Sequence, residues 1–458
     1  MAALETTNQQ VLAPLATTPG RLSEVWRLAW PHFIGNASIN LSFVAGNAIA
    51  GRLGVEQLAA LGIVFGILVP VNTALMTLVG ASTAAFAEAA ARKDGQVIRN
   101  LIWQLAWLIV MVASTLGLFC TLLPLGLAHL NTKPEVLSIV MEYLVFSVIG
   151  VVPLSMLVVL AAVLSAHKQV KIIMRAELSV AVFTILLTLF LSHPSAPVSM
   201  GAVGLSIAIL VSHSLAAIWL FRQTDKIVKQ HDGVSLRMVQ PPRKSDILDA
   251  VQLGGPLALA TLIRLGARAV IIMIAVRAGT IEVAAFQVAN NVLDTLVLPI
   301  VSVASVVAIL LGQAVATRPK DLLSELRTIV TVMVIVCGLL VTGLWIFSDS
   351  LVRVFTLNTE VIRLAIQSVL IVGALLMIRA VILVSEGCLT VARLTSITPI
   401  VSFIGNWVVA VPAAFALSYT GHASAPLLML CLAVGSGVVA LIQMTRAIRW
   451  LRNRALLN

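Results

Sequence analysis

Twelve long apolar runs, separated by short polar breaks, fill almost the whole chain. They fall at about 23–50, 57–90, 99–125, 134–165, 171–192, 200–221, 246–276, 282–316, 325–347, 358–389, 394–417 and 424–447. Each is long enough to cross a bilayer, which takes about 20 mostly apolar residues in a helix. Inside the runs the apolar positions are continuous and do not alternate, so the period-two pattern of a membrane β-barrel is excluded. The pattern predicts an all-α integral membrane protein with twelve transmembrane helices.

Composition agrees: of 458 residues, 60% are hydrophobic and 11% charged, against roughly 45–50% and 25% in soluble domains. The net charge of +11 needs no nucleic-acid partner once the loops are sorted by side. With both termini in the cytoplasm, only Arg52, Lys133, Arg277, Arg353 and Arg363 among the loop cations face outward. All the others fall inside, as the positive-inside rule requires. Six of the eight tryptophans (Trp26, Trp30, Trp103, Trp107, Trp219, Trp450) sit near that inner interface, as an aromatic belt does. The four cysteines lie within apolar runs without paired spacing and indicate neither a disulfide framework nor a metal site. No cofactor is expected.

The longest polar stretch, Gln223 to Asp246, divides the chain into two halves that resemble one another. Pro31/Pro256, Arg52/Arg277, Gly54/Gly279, Ala59/Ala284 and Ala60/Ala285 share one offset of 225 residues, and Val163-Leu164-Ser165 with Lys168 meets Cys388-Leu389-Thr390 with Arg393 at the same offset. Six spans per half is an even number, so both copies enter from the same side, as parallel repeats about an axis normal to the membrane. The expected organisation is a cytoplasmic tail (1–21), an N-lobe (22–222), a cytoplasmic linker (223–245), a C-lobe (246–447) and a second cytoplasmic tail (448–458).

Three arginines lie inside spans: Arg264 and Arg268 in the seventh, Arg379 in the tenth. A basic side chain at a helix centre costs about 2.5–3.5 kcal/mol, so each needs a partner or a wet cavity. Arg264 and Arg268 are four apart and share a helix face. Asp294, in the eighth span, lies at a similar depth. Two readings stand side by side. In one, Asp294 pairs with an arginine and the cluster locks the lobe. In the other, the arginines form an anion-attracting wall, because guanidinium grips carboxylate or phosphate with two parallel bonds, and Asp294 exchanges a proton. The offset-matched N-lobe positions are Ile39, Phe43, Leu154 and Val69, an apolar wall opposite a charged one. Asn47, Asn72, Gln287, Asn290 and Asn291 are further candidates for the cavity lining. His32 and His213 read as packing residues, and Glu88, Glu177 and Glu386 as interfacial salt-bridge partners near the inner ends.

The residues around the repeat resemble the multidrug and toxic compound extrusion (MATE) family. The resemblance rests on a proline in the first span, the Gly51-Arg52-Leu53-Gly54 turn followed by Ala59-Ala60, and the same set again in the seventh span. It is extended by Ala284-Ala285-Phe286-Gln287-Val288-Ala289-Asn290-Asn291, Gly312-Gln313-Ala314, and Asn406-Trp407 with Pro412. It implies two pseudo-symmetric six-helix lobes in a V and a monomeric, cation-coupled antiporter of the bacterial inner membrane that exports an organic solute on a proton or sodium gradient. The chain departs from the family pattern where carboxylates are common: those positions hold Gly46 or Asn47, Arg264 and Arg379, which favours protons over sodium. The substrate expected is therefore a small or peptide-like compound that is anionic or zwitterionic. The alternatives are a broad exporter of cationic drugs and a flippase for an anionic lipid-linked precursor. Enzymatic chemistry is not expected, because no cluster of Asp, His or Glu gathers in the outer loops.

Overall fold

Continuous apolar runs leave each backbone amide no partner but its own helix, and the chain folds accordingly. The computed structural model describes residues 18–51, 55–129, 134–192, 200–317, 322–353 and 358–456. In chain order these form α1 (Thr18–Gly51), α2 (Val55–Gly80), α3 (Thr83–Ala91), α4 (Gly95–His129), α5 (Pro134–Ala166), α6 (Val170–Ser192) and α7 (Gly201–Asp232). The second half supplies α8 (Lys244–Ala278), α9 (Thr280–Thr317), α10 (Leu322–Arg353), α11 (Thr359–Val391), α12 (Thr398–Phe403), α13 (Val411–Tyr419) and α14 (Ala425–Leu456). Among the described residues, eleven helical segments are long and apolar enough to cross a membrane. The 34-residue α1 occupies the place of the first expected span, and α2 with α3 makes the second.

Three features depart from the pattern. The polar stretch after the sixth span begins as helix: α7 continues to Asp232 and ends at Gly233 in the left-handed conformation, φ 72°. Only 233–243 is a true connection, and it is pinned to α4. Trp103 and Trp107 donate to the carbonyls of Leu236 and Gln240, and Gln104 donates to that of Pro241. The second span is broken at 81–82. The eleventh contains a π-helical stretch, Ile404–Ala410, just before Pro412, which has no amide to offer the carbonyl four residues back.

The repeat is visible in hydrogen bonds. Gln57 accepts from the amide of Ala202 at 2.8 Å, and its counterpart Glu282 accepts from that of Ala425 at 2.5 Å. Each ties the second helix of a half to the N-terminus of its sixth. Lys168 and Arg393 both adopt positive φ, 58° and 57°. Around each, the amide of the next residue bonds the carbonyl five back (Gln169 to Leu164, Leu394 to Leu389), the left-handed helix stop usually built with glycine. A cation there also faces the negative end of the helix dipole.

Of three buried cores among the described residues, the two large ones follow the two halves in part, and the larger also takes in Leu160, Ile173 and Leu220 of the first half. One gathers Phe86, Ile98, Leu105, Tyr143 and Val228. The other gathers Phe286, Leu311, Val369, Leu376 and Leu428, and takes in Val25, Leu28 and Ala29 of α1. The halves approach most closely at the end of the bundle that carries the basic loops. There Gly254 of α8 lies against the Leu78 carbonyl of α2, a Cβ at Gly312 of α9 would come within 2.9 Å of the Ala84 carbonyl of α3, and Gln313 donates to the Ala166 carbonyl at 2.8 Å. A methyl at Gly254 has no room against that carbonyl. Gly254→Ala is therefore expected to lose about 1–3 kcal/mol, the usual cost of overpacking, and to lower the thermal unfolding midpoint in detergent. Gly66→Ala, into open space, is expected to hold or raise it.

Candidate functional site

Helical periodicity carries the charged residues to one place. Asp294 lies eighteen residues before Gly312 on α9, five full turns at about 3.6 residues each, and so shares its face. Gly312 touches the N-lobe, so Asp294 faces the N-lobe too, about 27 Å further from the basic end at 1.5 Å per residue. Arg268 stands about four turns from Gly254 on α8 by the same count, again on the side that meets the N-lobe. The charged cluster therefore fronts the cleft between the lobes, well away from the crossing where they touch.

Within it, Arg268 and Asp294 form a two-pronged pair. Nη1 donates to Oδ1 at 3.0 Å and Nη2 to Oδ2 at 2.8 Å. The pair is open to the cleft, with side chains 23% and 55% exposed. Arg264, one turn away on the same helix, makes only a long 3.4 Å contact to Thr261 Oγ1. Arg379 reaches the cluster from α11, and the charges acting on it are Arg264 first, then Glu386, Arg268 and Asp294. Among the described residues neither Arg264 nor Arg379 has a salt-bridge partner.

Gln287 and Asn291 recur with Asp294 at helical spacing, as one polar stripe on α9; Gln287 is exposed and Asn291 half-buried. Asn290, expected in the lining, is withdrawn from it. It is fully buried, and its Nδ2 donates to the Phe286 carbonyl at 3.0 Å, because one residue's rotation about α9 turns it into the C-lobe core. Asn47 falls within α1, but its side chain lies outside the described residues, as does Arg52.

Three of the four offset-matched N-lobe positions come together; the side chain of the fourth, Phe43, lies outside the described residues. Ile39, Val69 and Leu154, the counterparts of Arg264, Asp294 and Arg379, line a single cavity of about 170 Å³ together with Phe65, Asn72 and Tyr143. Where the C-lobe carries charge, the N-lobe carries aliphatic side chains. Asn72 contributes a buried Oδ1 with no hydrogen-bond partner.

A second cavity, of about 400 Å³, lies mostly among N-lobe helices but is closed on one side by Ser305 and Ile309 of α9; it shares Ile39, Leu154 and His213 with the first. Here one expectation is overturned. Glu177 is no interfacial salt-bridge partner: its carboxylate enters the bundle against the bare backbone of Gly35, and Oε2 is buried without a hydrogen bond. His32, with Nε2 3.1 Å from Ser165 Oγ, lines the same cavity. His213 does too, with Nδ1 2.8 Å from the Ile209 carbonyl. The sequence signal was present in the absent side chain of Gly35, one turn after Pro31 and His32, although only the packing of α1 on α6 reveals what fills that space. Glu88, by contrast, does pair at the surface, with Arg92 at 2.7 Å. Another unread feature is the π-helical stretch, whose Trp407 donates to the Ile263 carbonyl at 2.9 Å and so buttresses α8 beside Arg264.

Comparison with known proteins gives a consistent picture. A probable multidrug resistance protein NorM of Aromatoleum aromaticum is 24% identical over 423 residues, covering 89% of each chain. One of Listeria monocytogenes is 25% identical over 378 residues, covering 81% of this chain and 82% of that one. Among solved structures, a MOP superfamily transporter from Pyrococcus furiosus, described as having a binding pocket of reverse polarity, superposes with a TM-score of 0.84. It is 18% identical and covers 95% of this chain and 96% of its own. An outward-facing multidrug resistance MATE transporter gives the same values. The MatE family model matches residues 31–190 and 256–416, most of both repeats. On that match the chain belongs to the MATE family of multi-pass membrane transporters.

Proposed function

We propose that this transporter exports a small zwitterionic, peptide-like compound in exchange for protons, from the bacterial cytoplasm and as a monomer with both termini inside. The observation that carries the reading is the Arg268–Asp294 pair, flanked by two arginines without carboxylate partners, where the repeat-matched N-lobe positions are apolar. A ligand that replaces only one partner of this pair leaves the other without its counter-charge. An anion that takes Arg268 strands Asp294, and a cation that takes Asp294 strands Arg268. A zwitterion replaces both: its carboxylate accepts from Arg268, Arg264 and Arg379, and its cationic group faces Asp294. The apolar N-lobe wall suits the rest of the molecule.

The sign of coupling follows. An antiporter requires proton and substrate to be rivals. A proton on Asp294 removes the charge that holds the cationic end, so a zwitterion is expelled by protonation from the outer side and taken up again after deprotonation inside. For a plain anion the sign reverses, because neutralising Asp294 frees Arg268 and strengthens binding. The reverse-polarity pocket described for the Pyrococcus furiosus transporter supports a charge-inverted site on this fold.

A second reading of the coupling site is favoured by one specific observation. Glu177 presents a buried, unpartnered carboxylate oxygen in a cavity that also holds His32 and His213, so the proton would be carried in the N-lobe while Asp294 only selects charge. Proton release on substrate binding separates the two. Purified protein in weakly buffered detergent solution is titrated with rhodamine B, a zwitterion. If Asp294 is the proton site, titration at a pH where Asp294 is protonated is expected to give release from the unmodified protein and from Glu177→Gln, and none from Asp294→Asn. Loss in Glu177→Gln with retention in Asp294→Asn moves the coupling to the N-lobe.

A further inference from the structure

A separate feature lies on the outside of the C-lobe. The helices α10 and α14 both pack on α11 but scarcely on each other, which leaves a slot of about 480 Å³ with α11 as its floor. The floor residues Met377, Ala380, Val381, Val384 and Cys388 recur on the side of α11 opposite Arg379, so the slot turns away from the cleft and toward the surrounding bilayer. Its lining is almost wholly apolar. On α10 it runs from Leu326 to Gly338, about 18 Å at 1.5 Å per residue, close to the roughly 15 Å that half of a 30 Å hydrocarbon core offers one acyl chain.

The repeat shows that this surface is ordinarily covered. The N-lobe positions matching Val330 and Val334 are Leu105 and Ile109, both fully buried in a core with Leu236 of the linker and Ala250 of α8. Val330 and Val334 are 40% and 63% exposed. At the basic end each wall finishes in the same way: Leu326 and Leu451 line the slot, and the next residues, Arg327 and Arg452, are exposed. Among the described residues neither arginine has a salt-bridge partner. An apolar slot one leaflet deep with a cation at the mouth of each wall matches an acyl chain below a phosphate, and juxtamembrane cations favour anionic lipids by about 1 kcal/mol each.

We propose that the slot between α10 and α14 binds one anionic phospholipid, its acyl chain along α11 and its headgroup between Arg327 and Arg452. The inference is independent of the substrate reading.

The test is native mass spectrometry of the full chain released from nanodiscs of equal parts phosphatidylglycerol and phosphatidylethanolamine. One phosphatidylglycerol is expected to stay bound in preference to phosphatidylethanolamine, by about tenfold or more for two cations. Gly338→Leu, whose Cβ meets no protein atom within 4 Å and which fills the slot it lines, is expected to abolish that retention. Arg327→Gln with Arg452→Gln is expected to leave retention while removing the preference. Equal retention of both lipids by the unmodified protein, or retention untouched by Gly338→Leu, overturns the proposal. So does selective binding that appears only after removal of residues 453–458, or a dimer in place of a lipid adduct, since the chain's own end or a second copy would then be the occupant.

Discussion

Arg379→Gln is expected to reduce transport of rhodamine B by about 10- to 100-fold while leaving its ethyl ester, a cation of nearly the same shape, within about twofold of its usual rate. A charge-assisted hydrogen bond contributes about 1.5–3 kcal/mol, and every 1.4 kcal/mol is a factor of ten in affinity. The carboxylate of the zwitterion is the group that Arg379 holds; the ester has none to lose. Arg264→Gln is expected to act in the same direction, since both guanidinium groups lie beside the Arg268–Asp294 pair without a carboxylate of their own. Arg379→Lys is expected to recover only part of the loss, because the ammonium keeps the charge but not the planar fork. Flux assays with the two dyes, run beside thermal unfolding, separate this from a structural role. A lobe-locking network predicts equal loss for both dyes and a lower unfolding midpoint.

Asp294→Asn is expected to uncouple the transporter. Rhodamine B accumulation driven by a pH gradient should fall to the level seen without one, because the amide cannot exchange a proton and cannot hold the cationic end. The same change leaves Arg268 without its carboxylate, so the anion carboxyfluorescein is expected to bind about tenfold or more tightly, in keeping with the 1.5–3 kcal/mol of a charged hydrogen bond. Opposite effects on anion and zwitterion are the signature of charge replacement. Equilibrium dye binding by fluorescence anisotropy, with accumulation in proteoliposomes, reads both. A uniform loss across the three dyes would contradict it.

Much of this architecture was legible in the chain because the bilayer leaves few options. Apolar runs must be helices, so most span bounds emerge within a few residues of those observed, the charged ends of α7 and α14 excepted. The offset of 225 that links Lys168 to Arg393 reappears as two identical helix stops, and that linking Ile39, Val69 and Leu154 to the charged cluster reappears as the lining of one cavity. Spacing put Arg264 and Arg268 on one helix face with Asp294 at a similar depth, and the Arg268–Asp294 pair is one of the arrangements those depths allow. What stayed hidden depended on rotation and on neighbours distant in sequence. Asn290 and Asn291 are adjacent, yet one is buried and the other borders the cleft. Glu177 looked like an interfacial acid until Gly35 was placed against it. The helical continuation of α7 to Asp232 was masked by its charge, since a polar helix outside the membrane has no apolar run to announce it.

Charge-inverted, proton-exchanging transport is read out by uptake into inverted membrane vesicles under an imposed pH gradient, with and without sodium. Rhodamine B, its ethyl ester and carboxyfluorescein are compared in the same preparation, with Asp294→Asn as control. The account predicts sodium-independent, gradient-driven uptake of rhodamine B that Asp294→Asn abolishes, with little uptake of the ester. Gradient-driven uptake of the cationic ester that survives Asp294→Asn would contradict it and make the arginines structural in an exporter of cationic drugs.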